Sequence, residues 1–258
     1  MDTELAQHKM EGYARGDRPL LSLTRVHKVY TGAMLGVHAL HDIELHIAPA
    51  EIVTVCGPSG SGKTSLLNVA GMLDTATEGS VVVASLLVSK LSEQARADLR
   101  NDLIGFVFQA SSLLPVLTAR ENVLLPLFLR SRLERSEMAA AQARADFLLA
   151  ELGLSTQAGL YPPRLDAGQC QRVAIARALV AAPRLVIADE PMSRLDQGGI
   201  RQVMDLFARQ QQELGTAFLI STRDQRQLSR ATRTLQLTEG RLQPAPMLRG
   251  RRPVVVQL

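Results

Sequence analysis

Residues 52–64 read IVTVCGPSGSGKT: a five-residue, largely apolar strand, then Gly57, Pro58, Ser59, Gly60, Ser61, Gly62, Lys63 and Thr64, with Ser65 and a helix-like apolar run to residue 71 behind them. The pattern is G-x-x-x-x-G-K-[ST] set between a strand and a helix. In that setting glycines let backbone N–H groups wrap a phosphate, and the helix N-terminus adds a favourable dipole. Lys63 supplies a cation for the β- and γ-phosphates, and the Thr64 hydroxyl is offered to Mg²⁺. A chance glycine turn carrying a surface lysine does not account for the two flanks. The stretch predicts a nucleotide-binding loop.

Outward from this loop, strand-like and helix-like segments alternate without a fixed repeat, which predicts an α/β fold. Strands are expected over 20–30, 39–47, 51–56 and 79–88, and a helix over 64–71. From 91 to about 154 the composition turns to Ala, Arg, Leu, Glu and Gln. Helical runs at 93–101 and 135–152 are broken by Pro115 and Pro126, so a helical subdomain is expected over about 91–175. Helices over 169–181 and 197–214 and strands over 185–188 and 217–221 complete the alternation. Residues 1–18 and 243–258 read as tails around a domain spanning 19–242.

A second signal is RLVIADE, residues 184–190, where four apolar residues deliver Asp189 and Glu190 to the end of a buried strand. Taken alone, such a pair is more often a turn or a helix cap than a catalytic pair. With the phosphate loop upstream, Asp189 is expected to hold Mg²⁺, directly or through water, and Glu190 to polarise the water that attacks the γ-phosphate.

Composition narrows the function classes. The chain has 258 residues, 46% hydrophobic and 21% charged, which describes a folded domain. Its longest apolar stretches, 81–88 and 123–129, fall short of the ~18–20 residues that span a bilayer. The first 18 residues have no apolar signal region, so a cytoplasmic location is expected. Cys56 and Cys170 have no zinc-like spacing and are expected to be reduced. The net charge of +4, from 29 bases and 25 acids, is not a nucleic-acid footprint. The histidines, His27, His38, His41 and His46 among them, lack metal-ligand spacing with a carboxylate and are assigned no chemistry.

From about residue 20 to 242 these residues resemble the ATP-binding cassette ATPases. The stretches IGFVFQASSLLPVLTARENVLLPL, YPPRL and ADEP are most similar to subunits of the lipoprotein-release and macrolide-export type. The resemblance implies a RecA-like P-loop NTPase core with an antiparallel β subdomain and a helical subdomain. It makes Tyr30 the aromatic that stacks on adenine, although a strand-end aromatic packed on the core is the plainer reading. It makes Gln109 the glutamine that touches Mg²⁺ and the coupling surface, where a helix cap is the plainer reading. LDAGQCQR, residues 165–172, takes the place of the LSGGQ signature, and SRLD, residues 193–196, that of the D-loop. The resemblance also implies ATP and Mg²⁺ as ligands and a homodimer or a pairing with a second cassette. That dimer would dock on separate membrane permease subunits at the cytoplasmic face of the inner membrane.

Two departures stand out against the family pattern. Asp166 and Ala167 replace the serine and first glycine of the signature, leaving Gly168 and Gln169 as backbone donors. Arg223, in TRD at 222–224, replaces the usual histidine of the switch segment. A carboxylate beside a triphosphate is unfavourable without an intervening cation. In the shared site Asp166 of one chain and Arg223 of its partner are therefore expected to pair, the alternative being independent drift at both positions. Two other function classes stay open on the sequence. One is a cassette that binds ATP but hydrolyses it poorly; the other is a soluble cassette of DNA repair or translation, which needs an insertion or second cassette not seen here.

Overall fold

A computed structural model describes residues 19–31, 36–130, 135–223 and 231–244. The expected tails 1–18 and 245–258, and Asp224 of the switch segment, lie outside the described residues.

Strand β3 (Ile52–Cys56) is buried at every position. It lies inside a six-stranded sheet of order β10-β9-β3-β8-β7-β6, formed with β6 (Ile104–Val107), β7 (Leu185–Asp189), β8 (Ala217–Thr222), β9 (Arg233–Thr238) and β10 (Arg241–Pro244). The pairings among β9, β3, β8, β7 and β6 are parallel, and β10 closes the edge antiparallel. Alternate residues of a strand point to opposite faces, so this sheet feeds two cores. Ile52, Val186, Ala188, Phe218 and Ile220 pack with the helices on one side, while Val53, Val55, Leu185, Ile187 and Leu219 pack with a second sheet on the other. That second sheet is antiparallel, of order β2-β1-β4-β5, from β1 (Leu21–Tyr30), β2 (Val37–Ile47), β4 (Glu78–Val83) and β5 (Leu86–Leu87).

The register decides where chemistry can gather. Cys56 pairs with Thr222 and Asp189 with Ser221, so the C-terminal ends of β3, β8 and β7 finish level. Ligands of open parallel sheets bind outside that edge. Helix α1 (Lys63–Ala70) leaves the phosphate loop there. The helical side carries α3 (Ala119–Arg130), α4 (Arg135–Glu151), α5 (Ala167–Leu179) and α6 (Gln197–Leu214), whereas α2 (Glu93–Leu103) packs Leu99 and Leu103 into the core shared with the antiparallel sheet. α6 has the bounds that the sequence predicts: Asp196 accepts from the Gly199 N–H at its start, and Gly215, at φ 67°, ends it.

Four expectations need correction. Pro126 does not break a helix; it lies inside α3. A proline there forfeits its own N–H bond, which α3 offsets by burying Ala119, Val123 and Leu124 in the helical-side core. The helix also starts on a reciprocal cap, with Glu121 accepting from the Thr118 N–H and Thr118 Oγ1 accepting from the Glu121 N–H. The expected strand over 79–88 is two strands, because Ala84 and Ser85 take φ of 48° and 68° and turn the chain back on itself. Within 91–175 the four residues of β6 join the large sheet instead of a helix. At the C-terminal end, β10 takes in Gln243 and Pro244, the first two residues of the expected tail.

Candidate nucleotide site

The loop after β3 can be built only with glycine at two places. A Cβ on Gly57 would stand 2.3 Å from the Leu237 carbonyl oxygen and 2.6 Å from Ser61 Oγ. Gly62 sits at φ 101°, and a Cβ there would meet the Ala39 carbonyl oxygen at 2.5 Å. The loop is tied across the molecule, since the Gly240 N–H donates to the Ser61 carbonyl. Lys63 is buried, and its Nζ donates to the carbonyls of Gly57 and Pro58, both at 2.8 Å. Burial pushes its ammonium below the ordinary lysine value; Arg223 adds to this, while Glu190 and Asp189 oppose it.

Facing Lys63, the strand ends converge. Thr64 Oγ1 donates to Asp189 Oδ2 at 2.8 Å, and Ser221 Oγ donates to Asp189 Oδ1 at 2.5 Å while accepting the Glu190 N–H at 2.9 Å. A hydroxyl and a carboxylate meeting at one point are hard oxygen donors of the kind Mg²⁺ takes. Glu190 holds φ 46°, outside the usual region for a residue with a side chain. Its carboxylate accepts from Arg223 Nε at 2.7 Å.

A cavity of about 500 Å³ opens over these groups. Tyr30, Ser59, Gly60, Gly62, Thr64 and Ser65 line it, as do Lys63, Gln109, Glu190 and Arg223. The Tyr30 hydroxyl donates to Asp74 Oδ2 at 3.0 Å, and Lys28 Nζ, 4.7 Å from the Tyr30 ring centre, donates to Asp74 Oδ1 at 2.6 Å. Burial raises the Asp74 carboxyl, but bonds from Lys28, the Thr75 N–H and Tyr30 together outweigh it and hold the group below the usual carboxylate range. The plainer sequence reading of Tyr30 as a core aromatic does not hold, because the residue is 38% exposed and borders the cavity.

Sequence reasoning missed part of the wall. His38, His41, Glu239 and Gly240 line the same cavity, brought there where the His41 N–H donates to the Gly240 carbonyl. The His38 and His41 rings lie 3.6 Å apart. Burial, with His38, Arg241 and His27 adding to it, pushes His41 below its ordinary value. No local motif announces these residues, since the two segments are about 200 positions apart.

Asp166, Gly168 and Gln169 are not among the cavity residues. They open α5, where Asp166 Oδ1 accepts the Gln169 N–H at 2.7 Å and Gln169 Oε1 accepts the Asp166 N–H at 3.0 Å. Asp166 is thus a helix cap, a place where aspartate and serine serve about equally well. Within one chain, then, neither Asp166 nor Arg223 waits for the other: one caps α5 and the other holds Glu190.

The pattern of the ABC transporter family matches residues 40–193. The chain is also 42% identical over 217 residues to the lipoprotein-releasing system ATP-binding protein LolD of Bordetella avium (strain 197N), covering 84% of this chain and 93% of that protein. This chain belongs to the ABC transporter family. Among solved structures, this ABC protein is similar to a dimeric, post-hydrolysis ATP-binding cassette, MJ0796, bound to ADP and Pi, with a TM-score of 0.81 and 35% identity over 88% of this chain and all of that one. It is also similar to cbiO1 of Clostridium perfringens, with a TM-score of 0.75 and 26% identity over 88% and 87% of the two chains. The ABC fold expected from the sequence, a RecA-like P-loop NTPase, is therefore present. The chain is an ABC transporter ATP-binding subunit and an ATPase, with ATP as its nucleotide and Mg²⁺ as the family's ion.

Proposed function

We propose that ATP lies in the cavity at the C-terminal edge of the large sheet, with adenine against Tyr30, the phosphates in the loop Gly57–Thr64, and Lys63 turned from its two carbonyls onto the β- and γ-phosphates. The observation that carries this reading is the buried Lys63, held beside the carboxylates of Asp189 and Glu190 in a loop that tolerates no Cβ at two glycines. Thr64 and Asp189, with Gln109 at the cavity edge, are the oxygen donors for Mg²⁺, which when bound neutralises phosphate charge. Glu190 orients and polarises the attacking water. Asp166, Gly168 and Gln169 serve a partner's nucleotide: they are not among the residues lining this chain's cavity, and this together with the dimeric assembly of the solved relative supports a shared site, in a homodimer or with a second cassette.

We infer the permease contact at a second cleft of about 400 Å³, largely apolar, whose lining includes Leu73, Phe106, Phe108, Leu125, Pro126 and Leu129. Phe108 precedes Gln109, and Arg177 fixes the loop beyond it through the Ser111 and Ser112 carbonyls. A permease segment seated there would therefore press on the cavity edge. Among the described residues no helix is long and apolar enough to cross a membrane, which suits a subunit held at the inner membrane's cytoplasmic face by a separate permease. Likeness to lipoprotein-releasing proteins favours a lipid-linked cargo. Phosphate release by the purified chain, with and without its co-expressed permease, tests the reading. Mg²⁺-dependent release that rises with the permease is expected, and Leu129→Glu should cut that rise. Release indifferent to the permease would remove the transport role.

A further inference from the structure

Strand β2 carries the cavity wall from the adenine end to the phosphate loop. Val37 pairs with Tyr30 and His38 with Val29, while the Ala39 carbonyl oxygen is the atom that a Cβ on Gly62 would meet at 2.5 Å. His38 and His41, to which the sequence assigns no chemistry, line this stretch. A regular strand sends residues three apart to opposite faces; the shifted register of β1 and β2 around Lys28 and Leu40 brings these two together. Their rings lie 3.6 Å apart, and His27 on β1 continues the row, 5.6 Å from His38. Arg241 from β10, Glu239 from the β9–β10 turn and Lys63 from the phosphate loop are the other charged groups of this wall, and Glu78 of β4 pairs with His27. Burial, His38, Arg241 and His27 hold the His41 imidazole below its ordinary value against an opposing bond to the His38 backbone, and no carboxylate acts on it. Among the described residues no group of three His, Cys, Asp or Glu side chains is placed to hold a metal ion. A wall where bases outnumber acids suits an anion.

We propose that His38 and His41 together form an anion contact for the α-phosphate of the bound nucleotide, taking up one shared proton as the nucleotide enters. The inference rests on the nucleotide reading above and deepens it. With adenine against Tyr30 and the β-phosphate in the loop, the parts of the nucleotide left alongside residues 37–41 are ribose and the α-phosphate, and only the phosphate is charged. Two imidazoles in contact do not both ionise, because each charge disfavours the other. One proton between them is the state that an anion selects. Imidazole changes charge between about pH 5 and 8, so a nucleotide that prefers the protonated pair draws a proton from solvent, and by reciprocity a lower pH tightens its binding. His41, held low while the cavity is empty, starts neutral at pH 7 and so has a proton to gain.

Calorimetry on the full-length chain tests it, with Mg²⁺ and ADP as the probe so that no turnover accompanies binding. Titrations in Pipes and in Tris, which differ in their heats of ionisation, count the protons taken up. The wild-type chain should take up roughly half a proton or more at pH 7 and bind ADP about 5-fold more tightly at pH 6.5 than at pH 8. Combining His38→Gln with His41→Gln should remove that uptake and bring the two affinities within about 2-fold, which also corrects for any proton that ADP itself exchanges. Imidazole NMR resonances of the wild-type chain, assigned with the single His→Gln variants, give a reading that does not depend on the double variant. At pH 7 those of His38 and His41 should move toward their protonated positions with Mg²⁺ and ADP, and stay in place with adenosine, which has no phosphate. Uptake that persists in the double variant, or resonances that ADP leaves unmoved, overturns the inference alone. A wild-type chain that binds no ADP overturns the nucleotide reading, and this inference with it.

Discussion

The phosphate loop and the start of α5 are both glycine-containing helix N-termini, yet they are built on opposite terms. The loop Gly57–Thr64 is wedged between β2 and the β9–β10 hairpin, with no room for a Cβ at Gly57 or Gly62 and a buried lysine at its centre. The start of α5 is exposed and closed by its own reciprocal cap, Asp166 with Gln169. At the first, packing forces identity. At the second, any good cap can stand, which is why an aspartate in the serine's place leaves the local fold intact. The comparison teaches that a departure from the family pattern matters by its neighbours: Asp166 exchanges one cap for another, while Arg223 acquires a new partner in Glu190.

The sharpest way to break the contrast is Lys63→Ala. Loss of two charge-assisted contacts to phosphate should weaken ATP binding by about 100-fold or more, read by calorimetry; unchanged affinity would remove the loop from the site. Next comes Gly62→Ala. The new Cβ meets the Ala39 carbonyl at a strained φ, so the variant should lose roughly 1–3 kcal/mol in urea unfolding and most of its ATP affinity. The contrast predicts far less at the other helix. Asp166→Ala should cost about 1 kcal/mol, a fall of roughly 2–4 °C in Tm, and Asp166→Ser should restore it.

The smallest effect is expected at the adenine end. Asp74→Asn weakens the anchor of Tyr30 and should lower ATP affinity a few-fold and stability by at most about 1 kcal/mol. Because the folded-state carboxyl titrates below its ordinary value of 3.8, that stability difference is full above about pH 5 and closes as pH falls through the lower folded value. A difference that grows on acidification would contradict the assignment.

What the sequence shows of this molecule follows the same divide. Strong local rules made the phosphate loop, α6 and the strand ending in Asp189 legible, because glycine spacing, a cap with a closing glycine and a continuous apolar run each act within a few residues. Helix α3 was hidden by Pro126 although T-x-x-E at 118–121 announces its start; a single proline costs less than the core that α3 buries. β6 was hidden because α2 passes straight into it at Ile104 with no turn residue between. The hairpin at Ala84 and Ser85 lacks the glycine or asparagine that such a turn usually shows. His38, His41, Glu239 and Gly240 joined the cavity, and Arg223 reached Glu190, only through strand order and register, which no short window of sequence contains.

The central claim is that Glu190 works as the water-polarising group of an active ATPase even though Arg223 holds it. Phosphate release in a single turnover, from wild type and Glu190→Gln at concentrations that support the dimer, tests this most directly. The account predicts a loss of roughly 100-fold or more in the variant, with ATP still bound and the dimer trapped. A wild-type rate no higher than that of Glu190→Gln would contradict it and leave a cassette that binds ATP without using Glu190.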